Sequence, residues 1–167
     1  MRNIELKARL TNRERAAAAC RELGAALQGD IHQRDTYFAV PEGRLKLRES
    51  DPGEDYLVFY HRPDIPGPKG CDYDIAVVDR GVRGLLCAAL GTLAVVEKMR
   101  TLYLWKNVRI HLDAVAGCGD YLEFEAVLGP EDTEKDCVDK LLRLQELFGT
   151  EPGDLIETSY LEMALTL

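Results

Sequence analysis

Disulfide and zinc chemistry are the first things missing from this 167-residue chain. Its five cysteines (Cys20, Cys71, Cys87, Cys118 and Cys137) are odd in number and scattered, with no CxxC pair. Such spacing supports neither a disulfide framework nor a zinc site. Cys20 and Cys87 sit in Ala- and Leu-rich helical stretches, where a free thiol serves as a small buried hydrophobe. No P-loop, GxGxxG, GxSxG or HExxH string occurs, so the common phosphate-loop, dinucleotide, serine-hydrolase and zinc-protease signatures are absent. No apolar run approaches the roughly 20 residues a membrane helix needs. Positive charge is short as well: 21 Lys plus Arg stand against 29 Asp plus Glu, a net charge of −8. That argues against nucleic acid or an anionic membrane as partner, while leaving room for a local basic pocket. Met1-Arg2-Asn3 runs straight into patterned sequence, so no signal peptide is expected and the location expected is the cytoplasm. With 46% hydrophobic and 30% charged residues, the composition is that of one soluble globular domain over 1–167.

What is present is period-2 alternation. From Asn3 to Leu10 every even position is apolar and every odd one polar or charged, the pattern of a half-buried strand. Thr11 and Glu14 have capping-box spacing ahead of an Ala-rich run, which predicts a helix over about 12–27. Strands are predicted at about 34–40 and 44–50, divided by the turn Pro41-Glu42-Gly43, and at about 55–62. A Pro/Gly loop covers 63–70, followed by a strand at about 72–78 and a helix capped by Asp79 and ending near Gly91. Strands at about 95–104, 108–115 and 120–128 lead to a long helix at about 131–148, and Asp154 with Glu157 predicts a last short helix. The order β-α-β-β-β-β-α-β-β-β-α-α, with short turns, predicts an α+β fold with a mainly antiparallel sheet. About eight strands can close into a barrel around one small ligand.

Residues i and i+2 share a sheet face, and here they sort by charge. Arg44, Lys46 and Arg48 line one face, as do Lys98 and Arg100, while Glu123 and Glu125 make an acidic stripe and Arg109, His111 and Asp113 a mixed one. An antiparallel sheet with one wet face shows such alternation without any function. However, the helices carry apolar stripes of their own and would cover the sheet's apolar face from outside. The charged face would then point inward, where unpaired cations cost several kcal/mol each. A wet tunnel that binds a polyanion resolves this, with Arg and Lys on phosphate oxygens and carboxylates on a hard divalent cation. The chemistry indicated is metal-assisted phosphoryl or nucleotidyl transfer. His111 beside Asp113 reads first as a hydrogen-bonded structural residue, and Tyr37, Tyr56 and Tyr60 as strand packing.

The ordered strings Asn3-Ile4-Glu5-Leu6-Lys7, Gln33 to Glu49, Tyr60 to Asp64, Glu97 to Arg100, Arg109 to Asp113, Gly119 to Glu125 and Ser159-Tyr160 resemble the CYTH superfamily, the triphosphate tunnel metalloenzymes. Within it, the class IV adenylyl cyclase-like branch is the most similar. The resemblance implies an eight-stranded antiparallel tunnel with helices outside, a bound triphosphate and catalytic Mg²⁺ or Mn²⁺. By position it implies Glu5, Asp113, Glu123 and Glu125 as metal ligands. Lys7, Lys46, Arg48, Arg62, Lys98 and Arg100 would bind the triphosphate, with Arg44, Lys69 and Arg109 as additions. Glu5, Lys7, Arg100 and Glu123 form the implied catalytic set. Ser159-Tyr160 would dock the C-terminal helix against the tunnel. One position departs from the family signature: its first acid is Asn3, an amide that offers an oxygen without the negative charge.

Three activities share this machinery. A cyclase would convert ATP to cyclic AMP and pyrophosphate. A triphosphatase would activate water against inorganic triphosphate, thiamine triphosphate or a nucleotide, with Glu5 and Glu123 orienting the water. A binder would hold nucleotide or polyphosphate without turnover. Dimers occur among similar proteins, so a homodimer is one expected assembly.

Overall fold

The alternating segments become eight strands of one antiparallel sheet that closes on itself in the order β1-β5-β4-β3-β2-β6-β7-β8. The strands are β1 (Arg2–Arg9), β2 (Ala26–Phe38), β3 (Arg44–Asp51), β4 (Tyr56–His61), β5 (Lys69–Val77), β6 (Thr92–Trp105), β7 (Val108–Val115) and β8 (Gly119–Val127). Among the described residues four helices are added: α1 (Arg13–Glu22), α2 (Val82–Leu90), α3 (Glu134–Leu147) and α4 (Tyr160–Leu165). The computed structural model describes residues 1–79 and 81–166. The predicted antiparallel barrel with outer helices is therefore the fold.

Closure decides which face is dry. Ile4, Leu6, Ala8, Val108, Ile110, Leu112, Leu122, Phe124 and Ala126 point outward and are buried under Ala16, Ala19 and Cys20 of α1 and Cys137, Leu141 and Leu144 of α3. Each large apolar side chain buried there contributes about 1.5–3 kcal/mol. Strand alternation then sends Asn3, Glu5, Lys7, His111, Asp113, Glu123 and Glu125 inward, since a strand's neighbours face opposite sides. A second apolar group, including Tyr37, Tyr60, Val96, Val115, Tyr121, Tyr160 and Leu161, closes one end of the barrel where α4 docks.

Several boundaries differ from the sequence reading. Helix α1 stops at Glu22 because Gly24 takes φ of 72°, and the chain enters β2 at Ala26, where helix was expected through 27. Its cap is Asn12, whose side chain accepts from the Arg15 amide, in place of Thr11. The α2 start has no side-chain cap; the Val82 amide bonds the Asp79 backbone carbonyl. Glu151 and Asp154 close a capping box around a single 3-10 turn, while Ser159 and Glu162 form the box that starts α4. The last helix thus begins six residues beyond Asp154. Among the described residues no helix is long and apolar enough to cross a membrane.

Candidate active site

The inward faces enclose a cavity of about 660 Å³ inside the barrel. That lies within the usual range for a small-molecule site. Two matching arrangements of charge dominate its wall. On the β2–β3 hairpin, Arg48 stands directly opposite Asp35, and Lys46 lies two residues earlier on the same face. On the β6–β7 hairpin, Arg100 stands opposite Asp113 with Lys98 two residues earlier.

Each aspartate is wholly buried and grips both of its cations. Asp35 accepts from Lys46 Nζ at 3.0 Å, Arg48 Nε at 2.7 Å and Arg48 Nη2 at 2.6 Å. Asp113 accepts from Lys98 Nζ at 3.2 Å and from Arg100 at 2.7 and 2.6 Å. Burial alone would raise both carboxyl pKa values, but Arg48 and Lys46 hold Asp35 well below the usual range, and Arg100 and Lys98 do the same for Asp113. Both acids are therefore ionised at neutral pH. Burial, joined by the repulsion of Arg100, lowers Lys98 to about 7. An incoming polyanion would restore its proton.

The carboxylates gather next to these cations. Glu123 accepts from Arg100 Nη2 at 2.9 Å and lies 3.8 Å from Lys7 Nζ. Glu5 accepts from Arg62 Nη1 at 2.7 Å. Burial and the neighbouring Glu123 charge raise the Glu5 pKa, whereas Lys7, His111 and Arg100 overcome burial at Glu123 and hold it well below the carboxylate range. One atom each from His111, Glu123 and Glu125 falls within a 4.8 Å span, a donor set suited to a divalent cation. Burial and Arg100 lower the His111 pKa, so the ring is neutral at pH 7.

Tyr160 of α4 donates its hydroxyl to Asp113 at 3.0 Å and lays its ring 3.7 Å from Lys7 Nζ and 4.7 Å from Lys98 Nζ. The cavity is lined as well by Tyr56, Val58, Tyr73 and Ile75. A Tyr160→Phe variant keeps the ring over Lys7 but deletes a charge-assisted hydrogen bond worth about 1.5–3 kcal/mol. It should melt about 3–12 °C below the parent by calorimetry, given roughly 2–4 °C per kcal/mol at this chain length. An unchanged melting temperature would mean the hydroxyl contributes nothing to holding α4.

The CYTH domain family model matches residues 1–160. The chain belongs to the CYTH family. A protein of Methanocaldococcus jannaschii named as a candidate adenylate cyclase is 20% identical over 174 residues, covering 98% of each chain. The solved PH1012 protein of Pyrococcus horikoshii superposes with a TM-score of 0.84 at 24% identity, covering 96% of this chain and 98% of that one. A Hippeastrum protein, described as a candidate adenylyl cyclase with a dominant triphosphatase activity, superposes with a TM-score of 0.67 at 17% identity, covering 98% of this chain and 95% of that one. These likenesses at low identity concern the fold.

Within this CYTH domain, the residues expected at the site fall into two sets. Glu5, Lys7, Lys46, Arg48, Arg62, Lys98, Arg100, Arg109, Glu123 and Glu125 all line the cavity. Arg44, Lys69 and Asp113 do not line it. Arg44 bonds Glu162 of α4 at 3.0 Å and Asp64 at 2.6 Å, so it fastens the C-terminal helix to β3. Lys69 is buried, with Nζ donating to the Ile65, Ile156 and Glu157 carbonyls. Both Asp113 oxygens accept hydrogen bonds, from Lys98, Arg100 and Tyr160. His111 and Asp35 were not expected at the site. Cys71 lines the cavity too, but burial pushes its thiol up to about 12, which leaves it inert.

Proposed function

We propose that this CYTH domain is a metal-dependent enzyme that cyclises ATP to cyclic AMP and pyrophosphate inside its tunnel. The observation that carries the reading is the pair of Lys-x-Arg clamps facing one cavity beside a carboxylate group. Lys46, Arg48, Lys98 and Arg100 would bind the β- and γ-phosphates and meet the charge that grows on pyrophosphate as it leaves. The aspartates fix these groups in advance, so little reorganisation is needed when charge moves. The side chains of Tyr56, Val58, Tyr73 and Ile75 in the lining favour an organic triphosphate, since they offer the base and ribose a surface.

In cyclisation the 3′-oxygen attacks the α-phosphorus, the bond from that phosphorus to the bridging β-oxygen breaks, and the 3′-hydroxyl loses its proton. Glu5 is suited to take that proton, because burial and Glu123 raise its affinity for one. Glu123 and Glu125 would hold the divalent cation. Bound there, it supplies Lewis-acid charge against the phosphoryl oxygens.

The second reading, a triphosphatase, uses the same clamps with water as nucleophile, and it is favoured by the activity named for the Hippeastrum protein of like fold. A product assay separates them. ATP, inorganic triphosphate and thiamine triphosphate are offered separately with Mg²⁺ and with Mn²⁺ at near-neutral and alkaline pH. Cyclic AMP with stoichiometric pyrophosphate is expected. Orthophosphate without cyclic product would make the protein a triphosphatase, and binding without turnover would make it a carrier.

A further inference from the structure

The tunnel contains buried polar atoms that the clamps do not use. His111 is 2% exposed, and its Nδ1 has no hydrogen-bond partner among the described residues. It stands 3.6 Å from Glu123 Oε2 and 3.8 Å from Glu125 Oε1, too far for hydrogen bonds. Asn3, 5% exposed and lining the same cavity, has an unpartnered Oδ1. A bound cation would give both atoms a partner once the His111 ring proton sits on Nε2.

We infer that His111 Nδ1, with Glu123 and Glu125, forms a mixed nitrogen–oxygen site that selects Mn²⁺ or another first-row transition ion over Mg²⁺. The inference rests on the tunnel being the reactive site. Spacing supports it. Ligand atoms about 2.1–2.2 Å from one ion, at angles from about 90° to 120°, lie roughly 3.0–3.8 Å apart. The two nitrogen-to-oxygen separations, 3.6 and 3.8 Å, fall at the upper end of that range. Ligand chemistry sets the selection. Mg²⁺ takes oxygen donors and keeps its waters, whereas first-row transition ions accept an imidazole nitrogen more readily.

The other edge of the ring limits how loading can occur. Nε2 faces Arg100 Nη1 at 3.5 Å, the outer limit of a hydrogen bond. Metal on Nδ1 requires the ring proton on Nε2, so that contact is given up. Arg100 keeps its bonds to Asp113 and Glu123, and its Nη1 becomes free for phosphate.

The test is metal binding to the full-length, metal-free protein. Mn²⁺ titrations followed by electron paramagnetic resonance, with Mg²⁺ in competition, should show Mn²⁺ bound at least tenfold more tightly. Pulsed spectra of the Mn²⁺ complex should show directly coordinated imidazole ¹⁴N, and His111→Gln should abolish that signal while narrowing the Mn²⁺/Mg²⁺ preference. Bound Mn²⁺ without nitrogen coupling in the parent protein overturns the inference, and this holds even if the variant fails to fold. So does an equal affinity for the two ions, or no Mn²⁺ binding below millimolar concentration. The two readings fail separately. Nitrogen coupling without cyclic AMP defeats the proposed reaction alone, and cyclic AMP formation without nitrogen coupling defeats the metal assignment alone.

Discussion

Arg100→Ala should lower kcat/KM by about 10³-fold for whichever triphosphate the parent turns over, comparable to losing a transition-state arginine or oxyanion donor. Arg100 bonds two buried carboxylates at once, with two contacts to Asp113 and one to Glu123. Its removal leaves two buried carboxylates short of a partner, which costs about 3–5 kcal/mol of folding stability when a buried pair is broken this way. Arg100→Lys separates the two consequences. An ammonium restores charge but cannot span Asp113 and Glu123 with a planar fork, so stability should recover further than turnover. Urea denaturation of both variants, beside their steady-state kinetics, measures each. Turnover within tenfold of the parent in a folded Arg100→Ala protein would show that the phosphates are held elsewhere in the tunnel.

The strands, the antiparallel closure and the inward charge were legible because alternation survives in almost every strand and because the helices carried apolar faces needing something to cover. Asp35 was legible in principle as well. A hairpin turning about residues 41–42 pairs positions that sum to 83, which sets Asp35 opposite Arg48. The turn at 106–107 sets Asp113 opposite Arg100 by the same arithmetic. Pairing register was the signal, and charge type alone did not reveal it. The fate of Arg44 was not legible. It shares a face with Lys46 and Arg48, but the face ends where α4 docks, and only the three-dimensional path of residues 152–166 brings Glu162 to it. Lys69 was hidden for the same reason, since two of its three carbonyl partners belong to that C-terminal segment. Local pattern sets a side chain's face, while tertiary contacts decide whether that part of the face is open.

Asp35→Asn should cost at least 3 kcal/mol, about the lower bound for breaking a buried ion pair, and lower the melting temperature by roughly 6–12 °C. The carboxylate makes three bonds to two cations from a position with no solvent access. An amide keeps the shape but leaves Lys46 and Arg48 facing each other without an anion. The orphaned charge, more than the lost bonds, carries most of the penalty, so Asp35→Asn/Lys46→Met should be more stable than Asp35→Asn alone. A double-mutant cycle would read that coupling directly. The pH dependence gives a second check. Because the folded pKa of Asp35 is depressed, its contribution is complete above the unfolded carboxyl value of about 4 and is lost as pH falls through the folded value. The stability gap between parent and Asp35→Asn should therefore stay level from about pH 5 to 8 and close under stronger acid. A gap that stayed open in strong acid would mean that amide packing, and not the buried charge, sets the cost. The same aspartate would then be a spacer in the wall, and the two clamps would hold their geometry by strand register alone.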